Sequence, residues 1–299
     1  MKLAIVAVFV ASTVHVHRRG RVRLGFWRQL TDHSTFMAPI NCLMYLCSRL
    51  PNRPYLPADP FPELKLLDEH WREIRDEACR LAAAGEIKAS DKFDDAGFNS
   101  FFKTGWTRFY LKWYEQVHPS AKALCPLTTG LLQRIPSVKA AMFAALPPGA
   151  RLVRHRDPFA GSLRYHLGLL TPNSDACYIS VDGQDYSWRD GQSVIFDETY
   201  LHHAENRSDR MRIILFCDIE RPLNNPLARA FNRFISRTLI RAAAAPNADT
   251  DRTGRLNKAF AHVQQARLAG KRIKARSRLG YYLLKWLLFG GPLLWWFCA

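Results

Sequence analysis

The chain has 299 residues, 48% of them hydrophobic and 23% charged, enough apolar content for one packed domain with extensions or for two small domains, which excludes an intrinsically disordered protein. Its seven cysteines are odd in number, scattered and never arranged as C-x-x-C, so neither a disulfide framework nor a thiolate zinc site is indicated, and the compartment reads as reducing. The formal net charge of +17 is unevenly spread: residues 1–35 carry +5, residues 221–299 carry +13, and the middle is nearly neutral at −1. That argues against a nucleic-acid groove through the core domain and for arms facing an anionic surface, which phospholipid or RNA would provide.

Leu3 to Val14 (LAIVAVFVASTV) is an apolar run of twelve, with Lys2 before it and Arg18, Arg19, Arg21 and Arg23 after it. This reverses the charge asymmetry of a signal peptide and reads as an uncleaved anchor. The run is shorter than the roughly 20 residues that span a bilayer, leaving open a helix extended into its flanks or a shallow interfacial insertion. The positive-inside bias places the residues after this run in the cytoplasm. A second apolar stretch, Phe36 to Leu50, is broken by Pro39 and either packs on the catalytic domain or touches the membrane. Pro51 to Pro62 reads as an extended linker. Glu63 to Ala84 follows, with Leu64, Leu67, Trp71, Ile74, Ala78 and Leu81 at three- and four-residue spacing before Gly85, which predicts an amphipathic helix with a glycine stop.

From about Phe109 to Ile219 short apolar segments alternate with Pro147-Pro148-Gly149, Asp157-Pro158, Asp182-Gly183 and Asp190-Gly191, the spacing of an all-β sandwich or barrel. Ala176 to Trp188 predicts a hairpin turning at Asp182-Gly183, and Arg212 to Asp218 a buried strand. The basic run Lys271 to Arg278 then precedes Leu279 to Ala299, whose Gly290-Gly291-Pro292 and terminal aromatics suit an interfacial or re-entrant membrane segment better than a core helix. The expected organisation is an N-terminal anchor and juxtamembrane segment at 1–50, a catalytic domain at 51–220 and a basic tail at 221–299.

The chemistry concentrates in the β region. His155-Arg156-Asp157 is an H-x-D, and at a strand or strand end positions i and i+2 reach one ion. His202, near the end of another strand, completes two histidines and one carboxylate, a facial set that leaves positions open and is the ligand pattern of non-haem Fe(II) oxygenases. Ten residues on, Arg212 heads an apolar strand. A buried guanidinium there needs an anionic partner, either an internal acid such as Asp197 or Asp218 or a co-substrate carboxylate. His203 points away from His202 by alternation. His166 reads as a core histidine or a site residue, Trp188 as core, and Asp197 and Glu198 as turn caps or as supports for His202.

Leu152 to Leu223 resembles the aspartyl/asparaginyl β-hydroxylase family of Fe(II)/2-oxoglutarate dioxygenases, through HRDPFAGSLRYHLGL (155–169), SWRDGQSVIFDETYLHHAEN (187–206) and MRIILFCDIERPL (211–223). DHSTFMAPINCLMYL (32–46) further resembles the lipid A 2-hydroxylase branch. The resemblance implies a mainly β, double-stranded β-helix (jelly-roll, cupin-like) core with flanking helices. It assigns His155, Asp157 and His202 to iron, Arg212 to the 2-oxoglutarate carboxylate, and Arg164 and His166 to positions beside co-substrate and substrate, with O2 as oxidant. The animal aspartyl hydroxylases have glycine where Asp157 stands, and the serine that helps hold 2-oxoglutarate before the Pro-Gly turn is replaced here by Ala144 and Ala145. The implied reaction is hydroxylation at the 2-position of a secondary acyl chain of lipid A or its precursor. The enzyme would sit on anionic phospholipid of a bacterial inner membrane with its catalytic domain facing the cytoplasm; the alternative is hydroxylation of Asp or Asn in a protein.

Overall fold

The computed structural model describes residues 2–90 and 92–286. Among them the alternating segments form eleven strands: β1 (Tyr55–Leu56), β2 (Thr107–Trp113), β3 (Gln116–Val117), β4 (Val138–Leu146), β5 (Arg151–His155), β6 (Ser162–Leu170), β7 (Cys177–Val181), β8 (Gln184–Ser187), β9 (Ser193–Phe196), β10 (His202–Asn206) and β11 (Arg212–Glu220). They build two antiparallel sheets, in the orders β1-β9-β6-β11-β4-β2-β3 and β5-β10-β7-β8. From β4 onward the chain steps between them: β4, β6, β9 and β11 lie in the first sheet, β5, β7, β8 and β10 in the second. That winding between two facing sheets is a double-stranded β-helix. The expected hairpin turns at Asp182-Gly183, both with positive φ (53° and 80°), the backbone that a two-residue turn between twisted strands requires.

The period-2 alternation gives each central strand two duties. On β6 and β11, Leu163, Tyr165, Leu167, Ile213, Leu215, Cys217 and Ile219 join a core shared with the covering helices. Their even-numbered neighbours Arg164, His166, Arg212, Ile214 and Phe216 face the second sheet and line a pocket between the sheets. Each fully buried aliphatic side chain of the helix-side core contributes about 1.5–3 kcal/mol, so that face anchors the strands while the other is free to carry polar groups.

Twelve α-helices surround the sheets among the described residues. In chain order they are α1 (Lys2–Arg18), α2 (Phe26–Thr31), α3 (His33–Phe36), α4 (Ala38–Leu46), α5 (Lys65–Glu69), α6 (Trp71–Ala83), α7 (Asn99–Phe102), α8 (Pro119–Leu124), α9 (Pro126–Gln133), α10 (Pro226–Ile235), α11 (Arg255–Arg276) and α12 (Arg278–Lys285). The single helix expected over Glu63 to Ala84 is instead a 3-10 turn, α5 and α6, broken at His70. The His70 ring bonds the Leu66 carbonyl at 3.0 Å, the group that an unbroken helix would offer to the backbone N–H of residue 70. Gly85 ends α6 with φ +71°. Pro51 to Pro62 is not wholly a linker, since Tyr55 and Leu56 pair with Phe196 and Ile195 and extend the first sheet.

Packing runs across the boundary expected at residue 50. Met44 packs with Ala160, Leu223 and Ala228, and Met37 with Phe159 and Ile235. Phe36 to Leu50 thus buries one face on the barrel, while Phe36, Leu43 and Leu46 stay exposed. Leu3 to Val14 lies in α1, which has 17 residues and is about 25 Å long at 1.5 Å per residue. Among the described residues no helix is long and apolar enough to cross a membrane. Of the expected terminal segment, Leu279 to Trp286 is described, while residues 287–299, with Cys298, lie outside the described residues.

Candidate active site

The pairing of β5 with β10 sets the first relation in the site, because its register places His155 directly opposite His202, with ring centroids 4.2 Å apart. In each residue Nδ1 meets the carbonyl oxygen two residues earlier, that of Val153 at 2.7 Å for His155 and that of Tyr200 at 2.9 Å for His202. A carbonyl only accepts, so both Nδ1 atoms carry the proton and donate, which leaves both Nε2 lone pairs available to a cation. Asp157 lies two residues past the end of β5, where its backbone N–H donates to the Glu198 carbonyl at 2.9 Å. Its Oδ1 stands 3.6 Å from His155 Nε2. The ligand atoms of His155, Asp157 and His202 lie within 4.8 Å of one another, so this trio could hold a metal ion.

Burial keeps the histidines neutral: it lowers both pKa values, that of His202 to about 3 with the help of neighbouring His155. Burial pushes the Asp157 carboxyl up, but the neighbouring Arg164 guanidinium outweighs it and holds the carboxyl below its usual range. Arg164 on β6 is the hub of this charge. It donates from Nε to Glu198 at 2.5 Å, contacts Asp157 Oδ2, and pairs with its cross-strand neighbour Asp218 at 3.2 Å. Three carboxylates thus share one guanidinium, and burial raises the pKa of Glu198 and of Asp218. A divalent cation at Asp157 would supply the missing positive charge.

Arg212 lies in the same pocket and is 2% exposed. Neither of the internal acids considered for it reaches it. Asp218 serves Arg164, and Asp197 is taken by Arg19 at 2.5 Å and Arg221 at 2.7 Å. The Arg212 guanidinium rests 4.4 Å over the Trp188 ring, its Nε and Nη2 have no hydrogen-bond partner, and burial lowers its pKa to about 10. An unpaired buried cation is costly, and a bound carboxylate would satisfy it bidentately. His166 stacks on Phe216 at 5.1 Å, with both ring nitrogens unpartnered; burial, Arg164 and Arg212 hold its pKa well below the usual value. The rest of the wall is apolar, with Phe98, Phe101, Trp106, Leu152, Ile179 and Phe196 foremost.

All six residues singled out from the sequence, His155, Asp157, Arg164, His166, His202 and Arg212, therefore line one pocket. His203 faces outward beside Tyr178. Asp197 does cap a turn, accepting from the Thr199 backbone N–H at 3.0 Å, whereas Glu198 supports Arg164. Trp188, read as core, is also the platform under Arg212. Sequence reasoning weighed Asp218 as a partner for Arg212 and not for Arg164, the residue it pairs with; counting in twos from Arg212 along β11 puts it on the pocket-facing side of the strand. It also passed over the aromatic wall of Phe98, Phe101 and Trp106, and over Arg19, for which no local signal existed.

The family model for aspartyl/asparaginyl beta-hydroxylase matches residues 68–222. The ornithine lipid ester-linked acyl 2-hydroxylase of Rhizobium tropici is 32% identical over 198 residues, 66% of this chain and 69% of that one. The human aspartyl/asparaginyl beta-hydroxylase is 27% identical over 171 residues, 56% of this chain but 22% of that much longer protein. The structure of a Pseudomonas putida prolyl-4-hydroxylase aligns with 52% of this chain and 88% of its own, at 20% identity and a TM-score of 0.34.

Proposed function

The chain belongs to the aspartyl/asparaginyl beta-hydroxylase family and is a hydroxylase enzyme, and from that premise we propose that it is an Fe(II)/2-oxoglutarate dioxygenase that hydroxylates C2 of an acyl chain in a membrane lipid. The observation that carries the cofactor assignment is the pairing, in one pocket, of the His155–Asp157–His202 trio with the partnerless guanidinium of Arg212. His155, Asp157 and His202 would hold the metal, a set of two histidines and one carboxylate that suits Fe(II). Arg212, over the Trp188 ring, would take the distal carboxylate of 2-oxoglutarate. Arg164 holds Asp157 through Oδ2 and so leaves Oδ1 for the metal. The aromatic wall excludes water and accepts alkyl surface. When bound, iron with 2-oxoglutarate and O2 supplies the oxidation of an unactivated C–H to C–OH, with succinate and CO2 as the other products.

The substrate reading rests on the Rhizobium relative, which acts on an ornithine-lipid acyl chain, on the apolar pocket, and on the basic, hydrophobic ends of the chain. Within that class the resemblance of residues 32–46 favours a secondary acyl chain of lipid A or its precursor, met at the cytoplasmic side of a bacterial inner membrane. Mass spectrometry of lipid extracts from cells with and without the protein tests this. One added oxygen on C2 of a lipid A acyl chain is expected. The same oxygen on an ornithine lipid would move the substrate within the class, and an oxygen found only on Asp or Asn side chains of a protein would overturn the lipid reading.

A further inference from the structure

Helices α2 to α4 bury three polar residues alongside Ala38 and Met44 and leave much of their large apolar surface outside. Gln29, Ser34 and Asn41 are buried against the barrel, and their polar groups are matched. Gln29 accepts from Arg156 at 2.9 Å and donates to Ser34 at 3.2 Å. Asn41 donates to the Pro158 carbonyl at 3.0 Å and accepts from the Ala160 N–H at 2.9 Å. On the outer side Trp27 is 79% exposed, Phe36 74% and Leu46 81%, with Phe26, Leu30 and Leu43 beside them. Helix α1 packs on α3 and α4 and adds exposed Leu3, Val8 and Val10. Exposed Arg18, Arg21, Arg23 and Arg28 stud this layer, and no acid precedes Asp32. An apolar layer of this kind, carrying several arginines and with Asp32 as the one carboxylate of residues 2–46, fits a solvent that is apolar inside and anionic at its surface.

The layer also touches the end of β5 that carries His155. Arg28 donates to the Arg154 carbonyl at 3.1 Å, and His33 bonds the Arg156 carbonyl at 2.7 Å, on either side of His155. We propose that the outer face of α1 to α4 lies flat on an anionic phospholipid leaflet, with Trp27, Phe36 and Leu46 at the level of the headgroups and upper acyl chains, so that the segment bearing His155 and Asp157 is held at the lipid surface. The consequence for catalysis rests on the membrane-lipid reading above; the docking itself does not. Arginines at the rim meet lipid phosphates while their stems lie along the apolar surface.

The test uses the full chain with p-benzoylphenylalanine in place of Trp27, of Leu46, or of Lys122, an exposed residue on α8, irradiated with vesicles of phosphatidylethanolamine and phosphatidylglycerol. Positions 27 and 46 are expected to give lipid adducts about tenfold or more above position 122. Equal yields at the three positions overturn the proposal, as does cross-linking of position 27 to a second copy of the chain in place of lipid. A second variant, Trp27→Glu with Leu30→Glu, reads the consequence: hydroxylation of lipid in vesicles should fall about tenfold or more while hydroxylation of the same lipid in detergent micelles stays within about twofold. An unchanged vesicle rate overturns the positioning role. Because photo-cross-linking needs no turnover, a wrong substrate and a wrong docking face give different results.

Discussion

His155 and His202 stand opposite each other across the β5–β10 ladder, each with its Nδ1 proton given to the carbonyl two residues behind it. The two rings are thus fixed in tautomer and direction by the backbone alone, and Asp157 is set beside them by the Glu198 carbonyl.

Replacing either ring therefore removes a preset donor. His155→Ala and His202→Ala should each weaken Fe(II) binding by more than the roughly 10–100-fold that accompanies loss of an outer hydrogen-bond partner, and Asp157→Ala should also weaken it strongly. Titration of each variant with Mn(II), followed by electron paramagnetic resonance, measures this. His166→Ala is the contrast, since its ring lies outside the trio. It should keep metal affinity within a few fold of wild type, and equal loss in all four variants would remove the distinction drawn between ligands and pocket wall.

Arg212→Lys keeps a charge but loses the planar fork. A hydrogen bond to a charged group is worth about 1.5–3 kcal/mol, so half-saturation by 2-oxoglutarate should rise roughly tenfold to a hundredfold, with metal affinity unchanged. Calorimetric titration of 2-oxoglutarate into the Mn(II)-loaded protein decides it. An unaltered affinity would return Arg212 to a purely structural role.

Asp197 governs acid stability. Burial would push its carboxyl up, but Arg19 and Arg221 hold it well below the usual range. A carboxylate depressed in the folded state stabilises the fold above its unfolded pKa of about 3.9, and that contribution is lost as pH falls below it. Thermal unfolding temperature should thus begin to fall near about pH 4 and keep falling to about pH 2 and below in the wild type. Asp197→Asn leaves two buried guanidinium groups without their counter-charge, so it should cost about 3–5 kcal/mol at neutral pH and show a shallower drop on acidification.

The N-terminal segment has a sharp functional boundary. Arg19 lies between the Tyr45 and Tyr200 rings, 3.9 and 4.0 Å from their centroids, and donates to Thr199 at 2.6 Å. Just beyond it the Arg21 and Val22 backbone N–H groups donate to Asp182. Tyr200 in turn supplies the carbonyl that orients His202. Deletion of residues 2–14 should leave the unfolding temperature near that of the full chain, whereas deletion of residues 2–24 should lower it and weaken metal retention. Arg19→Ala alone should cost about 1–3 kcal/mol, because Arg221 still pairs with Asp197. Equal stability of the two deletions would show that the clamp is dispensable.

The local features of this protein were legible in its sequence because they depend on neighbours a few residues apart. A short apolar run marked β11, Asp182-Gly183 marked the hairpin turn, and H-x-D marked the end of β5 where His155 and Asp157 meet His202. The break at His70 was not legible, since a side chain there displaces a backbone hydrogen bond without disturbing the apolar spacing of α5 and α6. The fate of Arg212 lay even further from view. Asp218 sits six residues along the same strand, yet the β6–β11 register sets it opposite Arg164. Asp197, meanwhile, is neutralised by Arg19, 178 residues away. Whether a buried cation is already paired or waits for a ligand is decided by which distant carboxylates the strand register and the N-terminal wrap bring within reach, and those are set by packing of the whole core, to which no single stretch of sequence has access.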